Sequence, residues 1–132
     1  MKIDRFEDLN IWQEARFLCQ VVYKVASINE FRRDFSLKRQ ITSSAGSVMD
    51  NIAEGFERGG NKEFIHFLYI AKASCSETRS QSYRAYDCNY ITEKQFNELL
   101  ELTEQLSRRI TAMIRYLSKS KIKGRKYHQT TP

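Results

Sequence analysis

Ile11, Ala15, Leu18, Val22 and Val25 alternate steps of four and three residues, and the same step recurs in three later stretches. Such spacing sets each group on one face of a helix and is the seam pattern of a helical bundle. The second group is Leu37, Ile41, Ala45, Val48 and Ile52, and the third is Phe64, Leu68, Ala71, Cys75, Thr78, Ser82 and Ala85. The fourth is Phe96, Leu99, Thr103, Leu106, Ile110, Met113 and Leu117. One proline and five glycines in 132 residues leave little punctuation, which disfavours a sandwich of short strands. The expectation is all-α: one antiparallel, up-down-up-down four-helix bundle over residues 1–118, with a basic tail at 119–132.

Boundaries follow from local chemistry. The first helix is placed at about Asp8 to Ser27 and the second at about Ser36 to Phe56, with residues 28–36 as a connection. Arg58-Gly59-Gly60 reads as a loop and Asn61 as the N-cap of the third helix. Thr92-Glu93-Lys94-Gln95 has the form of a capping box that opens the fourth. The tail has no apolar period and is expected to lack structure of its own.

Beside the apolar stripe of the second helix runs an uncharged polar one, Gln40, Ser43, Ser47 and Asn51, which ends in Glu54. Polar groups next to a core face are costly unless hydrogen-bonded, so the stripe predicts a specific contact surface. Asn51 and Glu54 are read first as tying this helix to a neighbouring helix or loop, and second as ligand or partner contacts; if buried, Glu54 would need a charged partner such as Arg58 or Arg79. The first helix is apolar around most of its circumference, and Ile65, Phe67, Tyr69 and Ile70 add apolar surface off the third seam. Both features predict a homo-oligomer.

The net charge of +6 is unevenly distributed. Lys119, Lys121, Lys123, Arg125 and Lys126 stand in a tail without acids, so the rest of the chain is close to neutral. A second cluster, Arg32, Arg33, Lys38 and Arg39, surrounds the entry to the second helix, and Arg108, Arg109 and Arg115 lie late in the fourth. In an up-down bundle the last two groups sit at opposite ends, so the bases mark both ends rather than one stripe. Bases of this kind bind RNA or DNA through phosphates, with steep salt dependence and little sequence preference.

Signals for catalysis are weak. Ser43, Ser44 and Ser47 have no histidine partner in sequence, and His66 lies in an apolar run. Glu63 and His66 have the Glu-x-x-His spacing of a di-iron bundle, but that site needs the motif twice. Cys19, Cys75 and Cys88 lack the paired spacings of a zinc site or a disulfide framework. No enzyme, metal or cofactor is expected. No stretch reaches the ~18 apolar residues of a membrane span, and the N-terminus lacks a signal-peptide core, so the expectation is a cytoplasmic protein without a membrane partner.

Phe6-Glu7-Asp8-Leu9, Trp12-Gln13 and Ala15 resemble the opening of the protein family encoded in intervening sequences of 23S rRNA genes, which carries a ribosomal-protein-like label. Gln40-Ile41, Ala45-Gly46-Ser47-Val48 and Asn51-Ile52-Ala53-Glu54-Gly55 resemble its middle signature. Arg58, Lys62-Glu63-Phe64, Phe67-Leu68, Ile70-Ala71, Ser74 and Glu77 are similar to the family's next segment. The family often has prolines where this chain has Ile28-Asn29 and Met49-Asp50, which touches the first connection and a kink in the second helix. The resemblance implies a four-helix bundle, with Gln40, Asn51, Glu54 and Gly55 as structural signature residues. A similar bundle is the accessory variability determinant of diversity-generating retroelements, a ring of five that binds nucleic acid and a reverse transcriptase. By that likeness a pentamer is implied.

Together these readings predict a non-enzymatic, oligomeric bundle that binds nucleic acid, RNA first, through phosphates. The alternative is a protein-interaction scaffold, docking a partner on the first helix or the polar stripe, whose tail only solubilises.

Overall fold

The computed structural model describes residues 2–120 and 127–128, and in it the four apolar stripes become four helices. These are α1 (Asn10–Ala26), α2 (Phe35–Glu57), α3 (Asn61–Asp87) and α4 (Glu93–Lys119). The connections are short, so sequential neighbours run antiparallel, and contact between α1 and α4 closes the ring. The ends of α1 and α3 therefore share one end of the bundle with the starts of α2 and α4.

Every seam residue named from the sequence is buried. Thr78, Ser82 and Thr103 are buried within the seams because each hydroxyl donates to the carbonyl four residues earlier, at 2.8–3.0 Å. Their polar atoms are thus satisfied inside their own helix, and the core stays continuous. α2 and α3 share the most extensive contact, whereas α1 and α4 meet least.

The connections carry structure that spacing did not disclose. Residues Asn29–Arg33 form a 3₁₀ turn whose Phe31 is fully buried and stacks on Tyr90, with ring centroids 5.3 Å apart. Asp34 caps α2, accepting from the Leu37 amide at 3.0 Å and from the Tyr90 hydroxyl at 2.9 Å. The cap of α3 is Gly60 rather than Asn61. The Asn61 amide instead donates to the Leu117 carbonyl at 3.2 Å and the Ser120 carbonyl at 3.5 Å, pinning the end of α4 to the start of α3. Gly59, at φ 91°, makes the turn between α2 and α3 in a region that side chains avoid. The Thr92–Gln95 capping box is present in both directions.

α2 runs unbroken through Met49-Asp50. Lys119 closes α4, one residue beyond the boundary read from sequence. Strands β1 (Lys2–Ile3) and β2 (Tyr127–His128) pair antiparallel, bringing part of the C-terminal stretch back to the N-terminus. Lys121, Lys123, Arg125 and Lys126 lie outside the described residues.

Candidate nucleic-acid interface

The polar stripe of α2 is an inter-helix seam only in part. Asn51 donates to the Ser47 carbonyl and hydroxyl, at 2.8 and 2.9 Å, and Ser47 accepts from Ser74 of α3 at 2.9 Å. One residue round the helix, Ser44 is buried, lies 2.7 Å from the Thr78 hydroxyl and donates to Gln81 Oε1 at 2.6 Å. Gln40 accepts from Arg84 of α3 at 2.9 Å. The bonds of Ser47, Ser44 and Gln40 bind α2 to α3 over several turns, whereas those of Asn51 stay within α2, and Ser43 stays exposed beside a depression of ≈ 270 Å³.

Glu54 departs from expectation. Its carboxylate is exposed and pairs with Arg58 one turn ahead at 3.2 Å, while Arg58 reaches Glu63 of α3 at 3.8 Å. Placing Glu54 where its charge meets water removes the desolvation cost that a buried carboxylate would bear. Gly55 is a signature residue for a steric reason. A Cβ there would lie 2.7 Å from Phe67 Cβ and 3.0 Å from Phe64 Cδ1, so only glycine lets α3 approach this closely.

The bases divide into paired and unpaired sets. Arg58, Arg79 and Arg109 are tied to carboxylates, Arg79 to Glu104 and Arg109 to Glu14, both at 3.2 Å. At the α2 entry only Arg33 is paired with a described acid, Glu30 at 3.9 Å. Arg32, Lys38 and Arg39 pair with no described carboxylate. Lys38 is half-buried and the others are exposed, all gathered around the first turns of α2. Lys119 is exposed at the far end of the bundle. One length of α2, 23 residues or ~35 Å, separates the two ends.

Phe35 was missed. It opens α2 with 71% of its surface exposed, next to Arg32, Lys38 and Arg39. No periodicity marks it, because it belongs to no seam; the available signal was an aromatic set among bases, the combination that stacks and neutralises a single strand. Lys72 was missed as well, since its neighbours Arg108 and Arg115 come from a different helix.

The groups considered for catalysis are dispersed. His66 is exposed, its ring edge-on to Phe67 at 5.3 Å. Burial raises the Cys19 thiol to about 11 and the Cys75 thiol to about 12, with Asp50 adding to the first. Both are poor nucleophiles near neutral pH. Among the described residues no three His, Cys, Asp or Glu side chains converge to hold a metal ion. No helix among them is long and apolar enough to cross a membrane.

Between α1 and α4 lies a groove of ≈ 1030 Å³ lined in part by Phe17, Val21, Glu98 and Glu101. Most of the apolar surface of α1 is consumed in the core, and Phe17 (48% exposed) and Val21 carry what remains on this side.

A structure described as a protein of unknown function from the S23 ribosomal protein family, from Bacteroides thetaiotaomicron VPI-5482, shares the fold. Its TM-score is 0.72 at 20% identity, over 80% of this chain and 98% of that one. No curated protein matches the chain. Residues 7–112 match the family described as 23S rRNA-intervening sequence protein. With that match spanning the four-helix core, the chain belongs to the 23S rRNA-intervening sequence protein family.

Proposed function

We propose that this protein is a non-enzymatic, self-associating helical bundle that binds nucleic acid, RNA first, through backbone phosphates. The observation that carries the reading is the division of its bases. Arg58, Arg79 and Arg109 are neutralised by carboxylates, while Arg32, Lys38 and Arg39, around an exposed Phe35, pair with no described carboxylate. Cations without internal partners can release counterions from a phosphate backbone, and an exposed ring can stack on an unpaired base. Lys119 stands at the other end of α4, and Lys121, Lys123, Arg125 and Lys126 follow it in sequence and add positive charge. Self-association, as a pentamer in the fullest form of the reading, would multiply these contacts.

The test is a fluorescence titration of structured RNA with the full chain and an Arg32→Gln/Lys38→Gln/Arg39→Gln variant at several salt concentrations. Affinity should fall, and the slope of log K against log salt should shrink by about three. Unchanged affinity and slope would remove the α2 entry from the interface. The second reading, a protein scaffold, draws on the α1–α4 groove and its exposed Phe17.

A further inference from the structure

We propose a third phosphate-binding site, on the α3–α4 side of the bundle, formed by Lys72 of α3 and by Arg108, Arg115 and Ser107 of α4. The inference rests on the nucleic-acid reading and gives that ligand a path along one side of the molecule. A depression of ≈ 370 Å³ between the two helices is lined by Lys72, Ser107, Arg108, Thr111 and Arg115. Three of the five are cationic, and none of those three pairs with a described carboxylate. The acids nearby in sequence are engaged: Glu104, one turn before Arg108, is held by Arg79, and Glu14 holds Arg109. Arg109 thereby turns toward α1, while Arg108 turns toward α3. Spacing alone gave these adjacent arginines one role, and the structure separates them.

Three like charges around one depression repel each other, and a bound anion relieves that repulsion. Phosphodiester suits the donor set. Two guanidinium forks can each take non-bridging oxygens, and the Lys72 ammonium supplies a point charge from the opposite wall. The Thr111 hydroxyl is committed to the Ser107 carbonyl at 3.0 Å. The Ser107 hydroxyl has no such bond to a described residue and can donate to the ligand. Arg108 and Arg115 are two helical turns apart, ~10.5 Å along the axis, so the two forks can reach different phosphates of one strand. Lys119 follows on the same face of α4 one turn later and extends the line of charge.

The test uses the full chain. A Lys72→Gln/Arg108→Gln/Arg115→Gln variant is titrated with a fluorescent RNA at ~50 to ~200 mM salt, beside the wild type. A Lys2→Gln/Lys62→Gln/Lys94→Gln variant loses the same formal charge elsewhere. Thermal melts establish that both fold. The site variant should bind at least tenfold more weakly, with a salt slope lower by two to three, and the control should lose much less of both. An equal loss in the two variants would reduce the site to diffuse charge and overturn it. Wild-type affinity in the site variant, with binding still lost in the Arg32/Lys38/Arg39 variant, would overturn this site while leaving the proposed function standing. Absence of binding by the wild type would overturn both.

Discussion

Gly55 of α2 lies so close to Phe67 of α3 that a Cβ on the glycine would sit 2.7 Å from the Phe67 Cβ. The obstacle is fixed to the α3 backbone, so it cannot swing aside as the tip of a long side chain could. Gly55→Ala must push apart α2 and α3, the pair of helices with the most extensive contact. Overpacking of this kind costs about 1–3 kcal/mol, offset by at most ~1 kcal/mol of helix propensity. Gly46, on the same helix, has nothing within 4 Å of its would-be Cβ. Gly46→Ala should therefore stabilise by up to ~1 kcal/mol, and paired denaturant melts of the two variants check both signs.

The buried Ser44 hydroxyl joins Thr78 and Gln81 across the α2–α3 seam. Ser44→Ala strands Gln81 Oε1 without its donor in a water-poor site. We expect a loss of about 1–3 kcal/mol, measured by chemical denaturation. Ser43→Ala, on the exposed side of the same turn, should change stability by less than ~0.5 kcal/mol.

The Asp34 carboxyl is held below its ordinary range by the Leu37 amide first and the Tyr90 hydroxyl second, with Arg84 adding to the effect. A depressed carboxylate contributes stability above its unfolded value, near 4, and loses it as pH falls through the folded value. Tyr90→Phe removes one of these donors. The stability gap between wild type and Tyr90→Phe should be full at pH 7 and should narrow as pH falls below about 4. A gap independent of pH would mean that the Tyr90 hydroxyl acts on stability without favouring the charged form of Asp34.

Thiol reactivity should follow burial. Cys88 is exposed, whereas Cys19 and Cys75 are buried with raised thiol values of about 11 and about 12. Alkylation of the folded chain at pH 8 should label Cys88 promptly and the other two only on unfolding, as peptide mass mapping would record.

The seams were legible in the sequence because a step of four and three survives any choice of partner. All four sets proved buried, and the capping box was readable because both of its partners lie within four residues. What escaped lies between segments far apart in the chain. Asp34 finds Tyr90, and Asn61 finds Leu117, each 56 residues away. The polar stripe was placed one residue off its strongest contact, since Ser44 faces α3 more deeply than Ser43 does. Arg58 is the partner of Glu54, one of the two considered, but the long carboxylate at the edge of α2 reaches water and is not buried. The pairing of Arg109 with Glu14, and its absence at Arg108, depend on which helix each side chain meets.

Nucleic-acid binding is the central claim, and the five bases from Lys119 to Lys126 give its most direct test. Neutralising them as Gln is preferable to truncation at residue 118, which would also remove the Ser120 carbonyl that Asn61 reaches and the β1–β2 pairing. Full-length wild type and this variant should be titrated with fluorescent structured RNA at ~50 and ~200 mM salt. The expected result is wild-type binding that weakens steeply with salt and a variant with lower affinity and a shallower slope. A wild-type chain that fails to bind RNA at ~50 mM salt, or binds with no salt dependence, would contradict the claim and direct attention to the α1–α4 groove and a protein partner.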